Sequence, residues 1–159
     1  MNQPEAPVDV IRRDGTVFGF DVGSRRIGVA VGSAFGTGAR ALAVVDVHAG
    51  NPDWAAIERL RREWRPDGMI VGDPMTIEGG DQPIRKTAQA FARQLRERTQ
   101  LPVVMVDERG SSIEAAQRFA DDRATGRKRR RDAVVLDAVA AAVIVERWLA
   151  APQDAVVVA

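Results

Sequence analysis

The sequence predicts an α/β protein built on a five-stranded mixed sheet, with three antiparallel strands followed by βαβ units and helices on both faces. Three observations carry this. Ile27, Val29 and Val31 alternate with Gly28, Ala30 and Gly32, which is the period of a strand with two different faces. Ile84, Ala88, Phe91, Ala92 and Leu95 recur at the period of a helix with one apolar stripe. Short apolar runs, Gly68 to Gly72 and Val103 to Val106, flank that helix as strands flank the helix of a βαβ unit.

The elements follow in order. Residues 1–14 are polar, hold two prolines and read as a loose leader; residues 15–150 read as one domain and 151–159 as a tail. Val17, Phe18 and Phe20 form a strand that gives out at Asp21, and Gly23-Ser24 supply a turn into Arg25 to Val31. Small residues on one face of that second strand predict a close approach by another element. Ala41 to Val47 is the third strand. Asn51-Pro52 predicts a helix start, with asparagine as cap and proline at the first position. Trp54, Ile57, Leu60 and Trp64 continue it until Pro66. After the Gly68 strand comes a loop to Asp81, then the long helix, then Val103 to Val106, which ends at Asp107-Glu108. Ser111 and Glu114 make a capping-box pattern for another helix. Arg123 to Arg131 is a basic loop, and Asp132 to Ala150 an alanine- and valine-rich helix. Trp54, Trp64 and Trp148 fall on apolar helix faces and read as core.

Composition narrows the chemistry. The 159 residues carry a net charge of +1, so only local clusters can argue for a charged partner. With no cysteine, disulfides, thiolate metal sites and cysteine nucleophiles are excluded. A lone histidine, His48, excludes polyhistidine sites, so any metal would be held by oxygen, as suits Mg²⁺ or Mn²⁺. No apolar run is long enough for a membrane span and no secretory signal is present, so a cytoplasmic protein is expected.

Three acids stand out. Asp21 ends the first strand, Glu108 follows the last, and Asp137 lies in a helix apolar on nearly every side, which predicts burial or a cleft. Three carboxylates from three elements suit a two-metal phosphoryl-transfer site, whose cations need anionic oxygen ligands and open positions for substrate. Each also has a plainer account. Asp21 could be a turn residue, Asp107-Glu108-Arg109 a solvated charge cluster, and Asp137 an acid paired with Arg131 or another arginine. The basic segment Arg127, Lys128, Arg129, Arg130 and Arg131 is either a solvated loop or the footprint of nucleic acid binding. The loop Gly72 to Gly80 lacks a Walker lysine and a GxGxxG pattern, so it carries no nucleotide assignment.

The segments FDVGSRRIGVAVG, IVGDPMTIEGGDQP, VDERGSSIEAAQR and LDAVAAAVIVERWL, in this order and spacing, resemble the YqgF/RuvX family of bacterial RNase H-like nucleases. The resemblance implies an RNase H-like fold and a two-metal nuclease using Mg²⁺ or Mn²⁺. Its expected role is processing the 5′ end of pre-16S rRNA in ribosome biogenesis. The alternatives are a Holliday junction resolvase or a non-catalytic nucleic-acid-binding assembly factor. It implies catalytic and metal-binding roles for Asp21, Glu108 and Asp137, with Asp21 bridging the two cations. Arg25, Arg26 and the Arg127 to Arg131 run would contact nucleic acid, either pre-rRNA, in a pre-ribosomal particle, or branched DNA. Either a monomer or a homodimer fits. Two departures stand out. Asp73 replaces the family's usual leucine and could bring extra charge to the site, and Asp132 is a rival to Asp137. Sugar kinases share the opening D-x-G turn but need a second lobe that this length does not allow.

Overall fold

A computed structural model describes residues 11–12, 14–33, 38–74, 83–108, 117 and 136–159. Among them the chain runs β1 (Thr16–Val22), β2 (Arg26–Ser33), β3 (Gly38–His48), β4 (Asn51–Pro52), α1 (Trp54–Trp64), β5 (Gly68–Asp73), α2 (Pro83–Thr99), β6 (Val103–Asp107), α3 (Leu136–Ala150) and β7 (Val156–Val158). The mixed sheet has the order β4-β3-β2-β1-β5-β6-β7. The pairs β1–β2, β2–β3, β3–β4 and β6–β7 are antiparallel, while β1–β5 and β5–β6 are parallel.

The sheet has seven strands, not the five expected. The two additions are short edge pieces. Ala49 and Gly50 both take positive φ, 51° and 80°, the conformation of a two-residue hairpin turn. Asn51 therefore folds back to pair with His48, and Pro52 with Val47. An edge strand tolerates proline because no ladder donor is lost. The cap of α1 is consequently Asp53, whose carboxylate accepts from the Ala56 N–H at 3.2 Å, rather than Asn51. At the other edge, the valine run of the tail pairs with β6, Val103 opposite Val158.

Strand alternation sorts the core onto two faces. Phe18, Phe20, Ile27, Val29 and Val31 point toward α1 and α2, where Phe91, Ala92 and Leu95 of the α2 stripe are buried. Val17, Ala30, Ile70, Val104 and Val106 point the other way, toward Ala141, Ile144, Val145 and Trp148 of α3. Trp148 is buried, and Trp54 is half-buried and stacked on Phe91 with ring centroids 5.3 Å apart.

The small residues of β2 do what their alternation predicts. Side chains at Gly28 and Gly32 would overlap the Asp137 backbone and Val145 of α3, and one at Gly19 of β1 would also overlap Val145. Glycine here is required by helix-on-sheet distance rather than by backbone torsion. No helix among the described residues is long and apolar enough to cross a membrane.

Candidate active site

Even-numbered and odd-numbered residues of neighbouring strands combine to put two acids on the α3 face. Asp21 follows Val17 and Gly19 along β1, and Glu108 follows Val104 and Val106 past the end of β6. Between them lies Gly72 of β5, and a side chain there would overlap the Glu108 carboxylate and Ile144. Parallel pairing of β1, β5 and β6 sets the strand ends side by side, so Asp21 and Glu108 meet across a glycine gap.

Both carboxyls are mostly out of water, and they hydrogen-bond each other. Burial pushes the Asp21 pKa up to about 6, with the Asp137 charge adding to the rise and the bond to Glu108 opposing it. Glu108 is pushed up to about 9, first by burial, then by the charge of Asp21 and the bond to it, then by Asp73; Arg147 pulls the other way. A carboxyl pair in low dielectric keeps a proton because both members cannot ionise without a compensating cation. Glu108 Oε2 is fully buried and has no hydrogen-bond partner.

Asp137 comes to the same end of the sheet from above. It lies in the first turn of α3, and its backbone rests on Gly28, the cross-strand neighbour of Asp21. Its carboxylate accepts from Arg26 Nε at 2.8 Å. Arg26 opens β2 on the same face, two residues before Gly28. The third acid thus stands close enough to raise the Asp21 pKa, but it is held by an arginine. As they stand, no three acids among the described residues are grouped tightly enough to hold a metal ion.

Asp73 has a different role from a fourth ligand. It lies on the opposite face from Gly72, and Arg85 of α2 grips it in a fork, Nε to Oδ1 at 2.8 Å and Nη2 to Oδ2 at 3.2 Å. Arg25 is exposed in the β1–β2 turn, where its carbonyl accepts from Val47. Arg127, Lys128, Arg129, Arg130, Arg131 and Asp132 lie outside the described residues, as do Ser111 and Glu114.

Sequence reasoning missed Arg147 and Arg85. Arg147 donates to the Asp107 carbonyl at 3.0 Å and is the cation that lowers the Glu108 pKa. A signal was present: with Asp137 and Glu146 it is one of three charged residues in an otherwise apolar helix. Arg85 gave no such signal, because arginines are common in the first turns of wet helices.

The oxygen-only donor set, the unpartnered Oε2 and two neighbouring carboxyls both raised first by burial fit a divalent cation at Asp21 and Glu108.

The sequence profile of the RuvX family, described as "Holliday junction resolvase", matches residues 15–151. A "Putative pre-16S rRNA nuclease" of Xanthomonas axonopodis pv. citri is 71% identical over 152 residues, covering 96% of this chain and 97% of that protein. Proteins of the same description from Xanthomonas oryzae pv. oryzae and Xanthomonas campestris pv. campestris are 70% and 68% identical over the same shares. Among solved structures, T. thermophilus RuvC in complex with Holliday junction substrate superposes with a TM-score of 0.56 at 19% identity. It covers 89% of this chain and 99% of that one. That likeness establishes the RuvC-like, RNase H-type α/β fold.

Proposed function

The chain belongs to the RuvX family, and from that premise we propose that it is a divalent-metal-dependent nuclease that processes the 5′ end of pre-16S rRNA. The observation that carries the reading is the buried Asp21–Glu108 pair, with its unpartnered Oε2, at the ends of adjacent parallel strands. Two carboxyls set side by side and largely out of water, with Arg147 as a counter-charge to one of them, have no structural use that an apolar pair would not serve better. They are suited to a site that is completed by a cation.

Asp21 and Glu108 would hold that cation, with Asp137 as the further ligand. The chemistry a bound divalent cation supplies is polarisation of the phosphodiester and neutralisation of the charge that develops on it. The chain's own contribution is positional. Glu108 would hold a proton beside Asp21 in the metal-free site and would release it to solvent on binding a cation. Gly72 and Gly28 remove the side-chain bulk that would separate the three acids. Arg25 stands exposed at the rim, suited to a phosphate of the backbone.

The family description favours a second reading, resolution of branched DNA, and one experiment separates the two. Wild type and Asp21→Asn are given a 5′-extended pre-16S rRNA and a four-way DNA junction, with Mg²⁺ or Mn²⁺. Asp21-dependent trimming of the RNA alone is expected. Symmetric nicking of the junction would establish the resolvase instead. Absence of Asp21-dependent cutting of either substrate would leave a nucleic-acid-binding assembly factor as the function.

A further inference from the structure

We propose that Arg26 is the resident counter-cation of the acid cluster, displaced from Asp137 when the site takes up its divalent cation. The proposal rests on the metal-site reading of Asp21 and Glu108 and gives Arg26 a role that reading does not contain.

The ion pair joins residues 111 positions apart, the first residue of β2 and the first turn of α3. Its geometry is fixed from both sides. Gly28 sets the height of α3 over the sheet, and strand alternation puts Arg26 on the same face as Gly28 and Asp21. Asp137 is near enough to Asp21 for its charge to be felt there. Without a cation, three acids in this space would repel one another. Asp137, whose backbone rests on the residue paired with Asp21, meets that repulsion by binding Arg26. Arg147, another cation near the acids among the described residues, acts on Glu108 and donates to the Asp107 carbonyl instead.

The pair is suited to exchange. The side chains of Arg26 and Asp137 are 46% and 32% exposed, so neither charge is stranded when they part. A half-exposed pair is weak, and a divalent ion already held by Asp21 and Glu108 attracts the third carboxylate more strongly than one guanidinium does. Arg26 thus competes with the cation for Asp137: it holds that carboxylate before loading, and loading frees its guanidinium beside the acids.

The test is Mn²⁺ titration of the full chain by calorimetry, in wild type, Arg26→Gln, Asp137→Asn and the double variant, with Asp21→Asn as the site control. Arg26→Gln should bind Mn²⁺ roughly two- to fivefold more tightly, the range an exposed ion pair allows. That gain should vanish in the Asp137→Asn background, and Arg26→Lys should restore wild-type affinity. Unchanged or weaker binding by Arg26→Gln would overturn the proposal. An equal gain with and without Asp137 would also overturn it, since the effect would then be general charge repulsion. A wild type whose Mn²⁺ binding is absent, or indifferent to Asp21→Asn, would overturn the metal-site reading itself, and this proposal with it. Matching circular dichroism spectra for the variants exclude misfolding as the cause.

Discussion

Gly28 of β2 and Asp137 of α3 meet backbone to backbone, so closely that a methyl group on Gly28 would overlap the Asp137 carbonyl. The position of one acid is therefore written in the absence of a side chain on the strand beneath it. Gly28→Ala must lift the start of α3 from the sheet. The expected cost is about 1–3 kcal/mol of stability, as for other overpacked sites. Mn²⁺ affinity should fall with it, because Asp137 moves while Asp21 and Glu108 do not. Urea denaturation and metal titration on the same preparation check both effects.

Asp21→Asn separates function from stability. Its carboxylate is charged at a cost above about pH 6, since burial raises its pKa there. At pH 8 and without metal, the asparagine variant should be more stable than wild type by on the order of 1–3 kcal/mol. Nucleolytic activity should fall to background in the same protein. A less stable variant would show that the carboxylate is structural.

Glu108 gives the metal-free protein an unusual pH response. Its folded-state pKa of about 9 lies above the ordinary 4.5, so its contribution is fully present below pH 4.5 and is lost as pH rises through 9. Asp21 acts in the same sense between its ordinary 3.8 and about 6. Denaturation at pH 5, 7 and 9 should show stability declining as the pH rises. Glu108→Gln should flatten the decline above pH 6, and excess Mg²⁺ should reverse it at pH 8 by stabilising both ionised carboxylates.

The Asp73–Arg85 fork should behave as a unit. Arg85→Ala leaves a mostly buried carboxylate without its partner, at a cost of about 1–3 kcal/mol. Pairing that change with Asp73→Leu should recover most of the loss, because neither charge is then stranded. A double variant as unstable as the sum of the singles would argue that the fork is not what holds α2 to the end of β5.

The legible parts of this molecule are those with a period. The alternation of Ile27, Val29 and Val31 with Gly28, Ala30 and Gly32 announced both the strand and a close-packed element above it, which is α3. The α2 stripe was equally plain, and its Ala88, Phe91, Ala92 and Leu95 are buried. Strands β4 and β7, at two and three residues, are too short to show any period. Asn51 lost the cap of α1 to Asp53 because the Ala49-Gly50 turn had already committed Asn51 to a hairpin. At the site, the acids could be picked out as charges where apolar strands end. Their partners could not, since Arg26 reaches Asp137 across 111 positions and only the packing of α3 on β2 brings them together. The sequence raised a pairing of Asp137 with an arginine, but nothing local pointed to Arg26.

The central strand of the sheet is the first in the chain, and its Asp21 meets an acid from position 108 and another from position 137. During synthesis the early strands can pair as they emerge, and N-terminal parts fold first. Yet a nascent chain halted anywhere before residue 137 lacks a complete acid set. On the proposed reading, the order of elements along the chain withholds the third acid until the start of α3 has been made.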